Sequence, residues 1–191
     1  MEKNVLWTPW VDPGLEHLRM ARISKGINAD GMIVGIKDNV PFRAHYKVRG
    51  DSAWRLQQVE IYLLDDSSED IKMHADGRGH WTDDSGAPLP FLDGCVDMDI
   101  SATPFTNTLA IQRLGLKPGE TAALPVVYVA VPEMEIKLAR QRYTCLERSV
   151  GGGLYKYEDE GLFSGFTADL RVDADGLVID YPGLFRRVWS G

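Results

Sequence analysis

The sequence contains no long apolar segment. No run in its 191 residues approaches the roughly 20 apolar residues of a membrane-spanning helix. The N-terminal stretch MEKNVLWTPWVDPG is also too poor in apolar residues to act as a signal peptide. These two absences predict a protein that does not span a membrane and that resides in the cytoplasm.

Positive charge is scarce and scattered. The chain has 21 Lys and Arg against 28 Asp and Glu, which gives a net charge of −7. Its longest basic cluster is Arg186–Arg187. Nucleic-acid binding needs a concentrated basic surface, so we expect no nucleic-acid partner. An anionic membrane surface would repel the protein on average.

Cysteine is nearly absent. The two cysteines, Cys95 and Cys145, lie far apart in sequence and form no Cys-x-x-Cys motif. This pattern favours two half-buried thiols in a reducing compartment. The sequence alone leaves open a bridge between them.

The common catalytic signatures are missing as well. The sequence has no G-x-S-x-G nucleophile elbow, no P-loop and no Gly-rich dinucleotide motif. His74 and His80 flank a predicted hairpin, but no third ligand follows at a zinc-like spacing. We therefore predict no metal and no cofactor, and a binding protein is favoured over an enzyme.

What the sequence does have is alternation with a period of two residues. In Pro41–Gly50 the apolar positions alternate with Arg43, His45, Lys47 and Arg49. Leu56–Leu64 and Phe166–Asp173 alternate in the same way, and Gly, Pro and Asp turn signals recur about every ten residues. No helical periodicity persists over three turns. The pattern predicts an all-β, mainly antiparallel fold of curled sheets, open or barrel-like, with at most short helical turns.

The stretch Leu92–Leu116 is the most distinctive part of the chain. It begins with a predicted turn at Asp93-Gly94 and continues as an alternating strand. Thr103-Pro104 then gives a helix-start signal, and a second alternating run follows from Leu109 to Leu114. One face of the first strand is rich in polar groups: Cys95, Asp97, Asp99 and Ser101. This is more hydrogen-bonding chemistry than a plain sheet needs.

An internal similarity suggests duplication. Asp70–Gly77 and Asp169–Gly176 share Asp, Ala, Asp and Gly at matching positions and are conservative at three others. Two unrelated hairpins with Asp-Gly turns would give a similar pattern, so both interpretations stay open. We predict a single domain over residues 1–191, built from two half-repeats of about 15–100 and 101–191 that share one core.

Two motifs carry a resemblance to a known family. They read LDGC-x-D-x-DI-x-x-TPFTNTL and VD-x-DGLV-x-DYPGL-x-RR, within a similarity from about Trp54 to Arg187. The chain resembles the bacterial "putative glycolipid-binding" proteins. It departs from their pattern where it has Ala110, Gln112 and Phe185. The resemblance implies a duplicated, spiralling β-roll whose shape is similar to that of lipid carriers, and a glycolipid as the ligand.

We therefore predict non-enzymatic binding or carriage of an amphiphilic small molecule in an apolar cavity of the roll. Burial of an acyl chain would supply the affinity, and polar groups at the cavity mouth would select the head group. The predicted ligand-binding residues are Phe42, Tyr46, Ile61, Asp97, Asp99, Asn107, Arg113, Tyr128, Arg142, Tyr181 and Arg186.

Two alternatives belong to other classes. A carbohydrate-active enzyme would use a carboxylate cluster of Asp93, Asp97 and Asp99, since Asp97 and Asp99 lie about 6.6 Å apart on a strand. The same pair would also suit a solvent-facing strand beside a basic face such as Arg43–Arg49. Asn107 would similarly suit a structural corner. A protein-interaction module would use an open sheet edge. The ligand and the oligomeric state are left open.

Overall fold

A computed structural model describes residues 2–64 and 70–191. Within them the chain forms fourteen strands and one α-helix, together with a 3-10 turn at Pro90–Leu92. The elements are β1 (Glu2–Pro9), β2 (Gly14–Ile23), β3 (Gly26–Lys37), β4 (Val40–Asp51), β5 (Leu56–Leu63), β6 (Asp70–Ala75), β7 (Trp81–Asp83), β8 (Asp97–Ile100), α1 (Phe105–Leu114), β9 (Thr121–Ala130), β10 (Glu135–Ser149), β11 (Gly152–Asp159), β12 (Thr167–Asp173), β13 (Val178–Tyr181) and β14 (Phe185–Ser190).

All the strands belong to a single sheet. Their order is β7-β6-β5-β4-β3-β2-β1-β14-β13-β12-β11-β10-β9-β8, so two meanders meet where β1 pairs with β14. Neighbouring strands are antiparallel except β8 and β9, which are parallel. Across the described residues the sheet is not closed. The prediction of an all-β, mainly antiparallel fold is therefore confirmed.

The sheet curls so that its two halves face each other. The centroid of the Tyr46 ring of β4 lies 6.2 Å from that of the Phe105 ring of α1, a helix that follows β8 in the chain, although β4 and β8 belong to opposite halves of the sheet. Near the sheet ends, the Gly94 amide donates to the Gly79 carbonyl at 2.9 Å. The indole of Trp81, at the edge strand β7, donates to the Cys95 carbonyl at 2.7 Å. These contacts enclose two adjoining hydrophobic clusters.

The helix α1 lies between these two clusters. Phe105 and Leu109 pack into one, and Ala110 and Ile111 pack into the other. The prediction of an alternating strand from Leu109 to Leu114 was wrong. Residues 105–111 are all buried and only the last turn, 112–114, is partly exposed, so most of the helix has no solvent face and its sequence shows no apolar periodicity. In residues 2–64 and 70–191 no helix is long and apolar enough to cross a membrane.

Aspartates close several of the hairpins in the same way. In each case one carboxylate oxygen accepts the amides two and four residues further along, and the residue between them has positive φ. These aspartates are Asp51, Asp76, Asp83 and Asp173. The predicted hairpin after Asp70 is present as β6 and β7. Because one turn type recurs throughout the fold, it does not by itself identify a repeat. The duplication stays a prediction.

The two cysteines are buried and are not joined to each other. Cys95 and Cys145 have no exposed surface. The prediction that they are only half-buried was therefore wrong. Burial, followed by the nearby Asp97 carboxylate, raises the pKa of the Cys95 thiol to about 11. Each thiol therefore serves as a small apolar side chain in the core.

An ion pair joins the helix to β8. Asp97 is 1% exposed, and the Arg113 Nε lies 2.9 Å and 3.0 Å from its two carboxylate oxygens. Burial raises the pKa of the Asp97 carboxyl, and the guanidinium opposes that rise. The interpretation of Asp97 and Asp99 as a solvent-facing pair beside the basic face of β4 was therefore wrong. Both carboxylates point into the protein, where Asp97 is paired with Arg113.

We expect Arg113→Met to destabilise the fold by roughly 3 kcal/mol, because it leaves the Asp97 carboxyl buried without a partner. Urea unfolding at neutral pH measures the change. Arg49→Met, at an exposed position of β4, is the matched control and should shift the free energy of unfolding by less than about 0.5 kcal/mol. The double variant Arg113→Met with Asp97→Leu should recover part of the loss. Equal stability of Arg113→Met and the control would contradict this role for the pair.

Candidate ligand-binding cavity

The curl of the sheet leaves a cavity of about 750 Å³ between its two halves. Its walls come from β1 to β4 on one side, and from the β8–α1 segment, β9 to β11 and β13 to β14 on the other. This volume lies within the range of roughly 300 to 1,000 Å³ that is usual for small-molecule sites. The chain therefore has room for a ligand where its two meanders face each other.

One wall of the cavity is aromatic. Tyr157 contacts Phe166 and Tyr181 edge to face, with ring centroids 6.1 Å and 5.9 Å away. Tyr128 contacts Phe163 in the same way at 5.6 Å. Burial raises the pKa of the Tyr128, Tyr157 and Tyr181 hydroxyls, so these side chains stay neutral at neutral pH. They present a broad apolar surface with few polar edges.

Exposed apolar side chains lie at the open end of the cavity, next to the exposed charged residues of its lining. They are Val11, Phe163 and Leu184, which we call the apolar rim. Val11 is 81% exposed and Phe163 is 55% exposed. Single exposed apolar residues are ordinary, but a group around the mouth of a cavity is typical of a binding surface.

The buried end of the cavity is polar and is centred on Glu16. This residue is 2% exposed. Its Oε1 accepts hydrogen bonds from the Tyr46 hydroxyl at 2.5 Å and from the Thr103 hydroxyl at 2.7 Å. Its Oε2 is buried and has no hydrogen-bond partner in the described parts of the chain. Burial raises the pKa of the Glu16 carboxyl to about 8, so at pH 7 it is mostly the neutral acid.

Asp99 and Asn107 are two further polar residues of the lining, and Asp99 lies near the aromatic wall, where its carboxylate helps to raise the pKa of the Tyr128, Tyr157 and Tyr181 hydroxyls. The Asp99 carboxylate accepts from Thr106 Oγ1 at 3.1 Å and from Gln141 Nε2 at 2.6 Å. Asn107 accepts from the Tyr143 hydroxyl at 2.8 Å. Burial raises the pKa of the Asp99 carboxyl, because both hydrogen-bond donors are uncharged and offset the loss of water only in part.

The titratable side chains that line the cavity are mainly acidic. The five carboxyls are those of Asp12, Glu16, Asp99, Glu133 and Glu135, and the two ammonium groups are those of Lys37 and Lys137. Lys137 is already paired with Glu135. Among the described lining residues there is no arginine. The described lining therefore offers an anion no guanidinium group with which to pair.

The structure brings together part of the predicted ligand-binding set. Phe42, Asp99, Asn107, Tyr128 and Tyr181 all line the cavity. Tyr46 lies behind its wall and reaches it through the hydrogen bond to Glu16. Asn107 was also interpreted as a structural corner, and its bonds to Tyr143 and to the Pro104 carbonyl fit that interpretation as well.

The other predicted residues lie outside the described lining. Ile61 is in the core, and Asp97 is held by Arg113. Arg142 pairs with Glu160, and the Arg186 guanidinium lies 4.8 Å above the Trp10 ring.

The carboxylate cluster of the enzyme alternative also separates. Asp93 is exposed, Asp97 is paired, and only Asp99 faces the cavity. In the described residues no three His, Cys, Asp or Glu side chains are grouped as metal ligands.

Sequence reasoning missed Glu16, the apolar rim and the role of Thr103 beside Glu16. A signal for Glu16 was present: Glu16, Leu18 and Met20 occupy the same parity of β2, and all three are buried. A carboxyl on the apolar face of an alternating strand indicates an inward acid. The rim residues gave no such signal, because they come from separate loops that meet only in the folded protein.

The raised pKa of Glu16 makes a prediction for stability. The unfolded chain ionises this carboxyl near pH 4.5, whereas the folded protein holds its proton up to about pH 8. The stability that this group contributes is therefore fully present below pH 4.5 and is lost as the pH rises to about 8. We expect Glu16→Gln to gain stability relative to the natural protein across that window, on the order of 1 kcal/mol per pH unit.

Urea unfolding at pH 5, 6, 7 and 8 measures this difference. Glu147→Gln replaces an exposed carboxyl on β10 and is the matched control, whose profile should follow that of the natural protein. Parallel profiles for Glu16→Gln and the natural protein would contradict the assignment of a proton to the buried acid.

The chain is similar to known proteins over almost its whole length. The sequence profile of a family described as "Putative glycolipid-binding" matches residues 4–187. The crystal structure of a DUF1089 family protein from Pseudomonas aeruginosa is similar to this chain with a TM-score of 0.81 and 38% sequence identity, covering 92% of both chains. A search of the curated proteins finds no match. The match over almost the whole length shows that the chain belongs to the glycolipid-binding family so described.

Proposed function

We propose that this protein binds an amphiphilic ligand, of the glycolipid class that the family description names, in the cavity between the two halves of its sheet. The observation that carries the proposal is the cavity of about 750 Å³, which has aromatic walls, an apolar rim and a polar buried end. A ligand with both an apolar and a polar part matches this division. A purely polar sugar would leave the aromatic wall and the rim without apolar contacts.

Burial of hydrocarbon supplies the free energy of binding. Each methylene removed from water contributes about 0.8 kcal/mol, so an eight-carbon chain contributes roughly 6 kcal/mol before the cost of ordering the ligand. The walls are held in place by packing and hydrogen bonds within the sheet, which keeps the protein's own ordering cost low. Few polar contacts are then needed for useful affinity.

We expect Ala130→Trp to abolish binding, because Ala130 lines the cavity and an indole at this position would obstruct the path of the hydrocarbon chain. The measurement is displacement of a fluorescent alkyl probe by n-octyl-β-D-glucoside below its micellar concentration. Ala123→Trp lies on the same strand at an exposed position outside the described lining and is the matched control. The control should bind as the natural protein does.

Native mass spectrometry of gently purified protein gives an independent test. The natural protein and Ala123→Trp should retain an adduct of lipid mass, and Ala130→Trp should not. If neither assay detects an amphiphile on the natural protein, the proposed function is wrong.

A further inference from the structure

One hydroxyl group of the cavity wall has no partner in the protein. Tyr181 lines the cavity and is only 5% exposed. Its hydroxyl makes no hydrogen bond with any residue that the structure describes, yet the oxygen is not enclosed, which distinguishes it from the Oε2 of Glu16. A hydroxyl group that leaves water without gaining a partner is costly. The bond that Tyr181 lacks must therefore come from whatever occupies the cavity.

A carboxyl group lies near this hydroxyl. After burial, the Asp99 carboxyl is the largest cause that raises the pKa of the Tyr181 hydroxyl. Asp99 also lines the cavity, and its two oxygens accept one hydrogen bond each, from Thr106 and from Gln141. A carboxylate oxygen has about two acceptor sites. Asp99 thus keeps the capacity to accept from a further donor.

The packing of the aromatic wall connects the two groups. The Tyr181 ring contacts Tyr157 with a centroid distance of 5.9 Å, and Tyr157 contacts Tyr143 at 5.4 Å. The Tyr143 hydroxyl lies 3.4 Å from the Gln141 side-chain oxygen, and the Gln141 amide donates to Asp99 at 2.6 Å. A continuous set of packed side chains therefore holds the donor and the acceptor in place, which keeps the cost of ordering them on binding low.

No cation accompanies this pair of groups. Burial raises the pKa of the Asp99 carboxyl, and among the described residues only the uncharged side chains of Gln141 and Thr106 oppose that rise. The guanidinium of Arg113 is bound to Asp97 instead. A phosphate or carboxylate placed beside Asp99 would lose its water without gaining a counter-charge. A hydroxyl group suits the place better, because it both accepts and donates.

From these observations we infer that Asp99 and Tyr181 form a subsite for a hydroxyl group of an uncharged head group, in which Tyr181 donates to the ligand and Asp99 accepts from it. The inference rests on the proposed function, because it names the head-group chemistry within the same cavity. The facing wall, from β1 to β4, presents Trp7, Ile33 and Phe42 to the hydrocarbon part of the ligand. Asp99 and Tyr181 bind the ligand and undergo no chemical change.

Tyr181→Phe tests the subsite, because it removes the unpartnered hydroxyl and keeps the ring in its packing. We expect the affinity for n-octyl-β-D-glucoside to fall about tenfold, which corresponds to about one net hydrogen bond. The affinity for 1-fluorooctane, which has no hydroxyl group, should not change. Displacement of a fluorescent alkyl probe below the micellar concentration measures both affinities.

Tyr62→Phe is the matched control for this experiment. Its hydroxyl donates to Glu60 outside the described lining of the cavity, so neither affinity should change. If Tyr181→Phe binds the glucoside as tightly as the natural protein does, the Tyr181 hydroxyl is bonded to water alone and the inference is overturned.

Stability measurements separate a binding role of this hydroxyl from a structural one. Because the Tyr181 hydroxyl has no partner in the described chain, Tyr181→Phe should unfold at the same urea concentration as the natural protein, or at a higher one. Tyr46→Phe provides the contrast: it removes the hydroxyl that donates to Glu16 and should unfold at a lower concentration. A loss of stability in Tyr181→Phe equal to that in Tyr46→Phe would contradict the binding role.

Asp99→Asn tests the other half of the subsite. We expect weaker binding of the glucoside, and the double variant with Tyr181→Phe should lose less than the product of the two single losses, because both groups bond to the same hydroxyl. Fully multiplicative losses would place the two groups at separate points of the ligand and would overturn the subsite. If Asp99→Asn does not fold, the result for Tyr181→Phe decides the question.

A charged analogue tests the head-group class. n-Octyl-β-D-glucuronide has a carboxylate on the same ring, and the natural protein should bind it at least about tenfold more weakly than the glucoside. Equally tight binding of the glucuronide would overturn the preference for an uncharged group. These results bear on the inference alone as long as the natural protein binds an amphiphile. Failure of every probe to bind the natural protein refutes the proposed function itself.

Discussion

The architecture depends on one buried hydrogen-bonded junction. Glu16 on β2, Tyr46 on β4 and Thr103 at the start of α1 meet at a single carboxyl oxygen, although Thr103 belongs to the opposite half of the sheet. The Thr103 hydroxyl in turn accepts the Phe105 amide at 3.0 Å, so the beginning of the helix is fixed by the same group. Buried polar networks of this kind require defined geometry, because each unsatisfied member is costly in a low-dielectric interior. The junction therefore sets how far the two halves stand apart, and hence the width of the cavity.

The polar motif around β8 has a structural explanation as well. Asp97 binds Arg113 near the end of α1, and Asp99 binds Thr106 on its first turn and Gln141 on β10. Asn107 accepts a hydrogen bond from the hydroxyl of Tyr143 on β10. These side chains hold the largely buried helix α1 against the strands β8 and β10. Their type and spacing are thus explained by the contacts between α1 and these strands, while Asp99 and Asn107 also line the cavity.

Local pattern was sufficient for most strands and insufficient for the helix and the cavity. The alternation in Pro41–Gly50 predicted β4, which spans Val40–Asp51, because an antiparallel strand with one buried face has a two-residue period. A helix buried on all sides loses the contrast between apolar and polar faces, so α1 was invisible to the same method apart from its Thr103-Pro104 start. Five predicted ligand-binding residues do line the cavity. The environment of Glu16, however, depends on a hydrogen bond from Thr103, which lies far along the chain. Long-range contacts of this type leave little trace in local spacing.

The pairing of β1 with β14 has a consequence for how the protein folds. This contact lies in the middle of the sheet, where the Asn4 and Gly191 backbones exchange hydrogen bonds in both directions. During synthesis the strands β1 to β7 are complete long before β14 leaves the ribosome. One edge of β1 therefore stays unpaired until β14 has been made. Such an edge invites pairing with other nascent chains. Pairing of β1 with β14 is thus a late event in folding, and it must join two segments that lie far apart in the chain. The protein is therefore expected to fold slowly for its size.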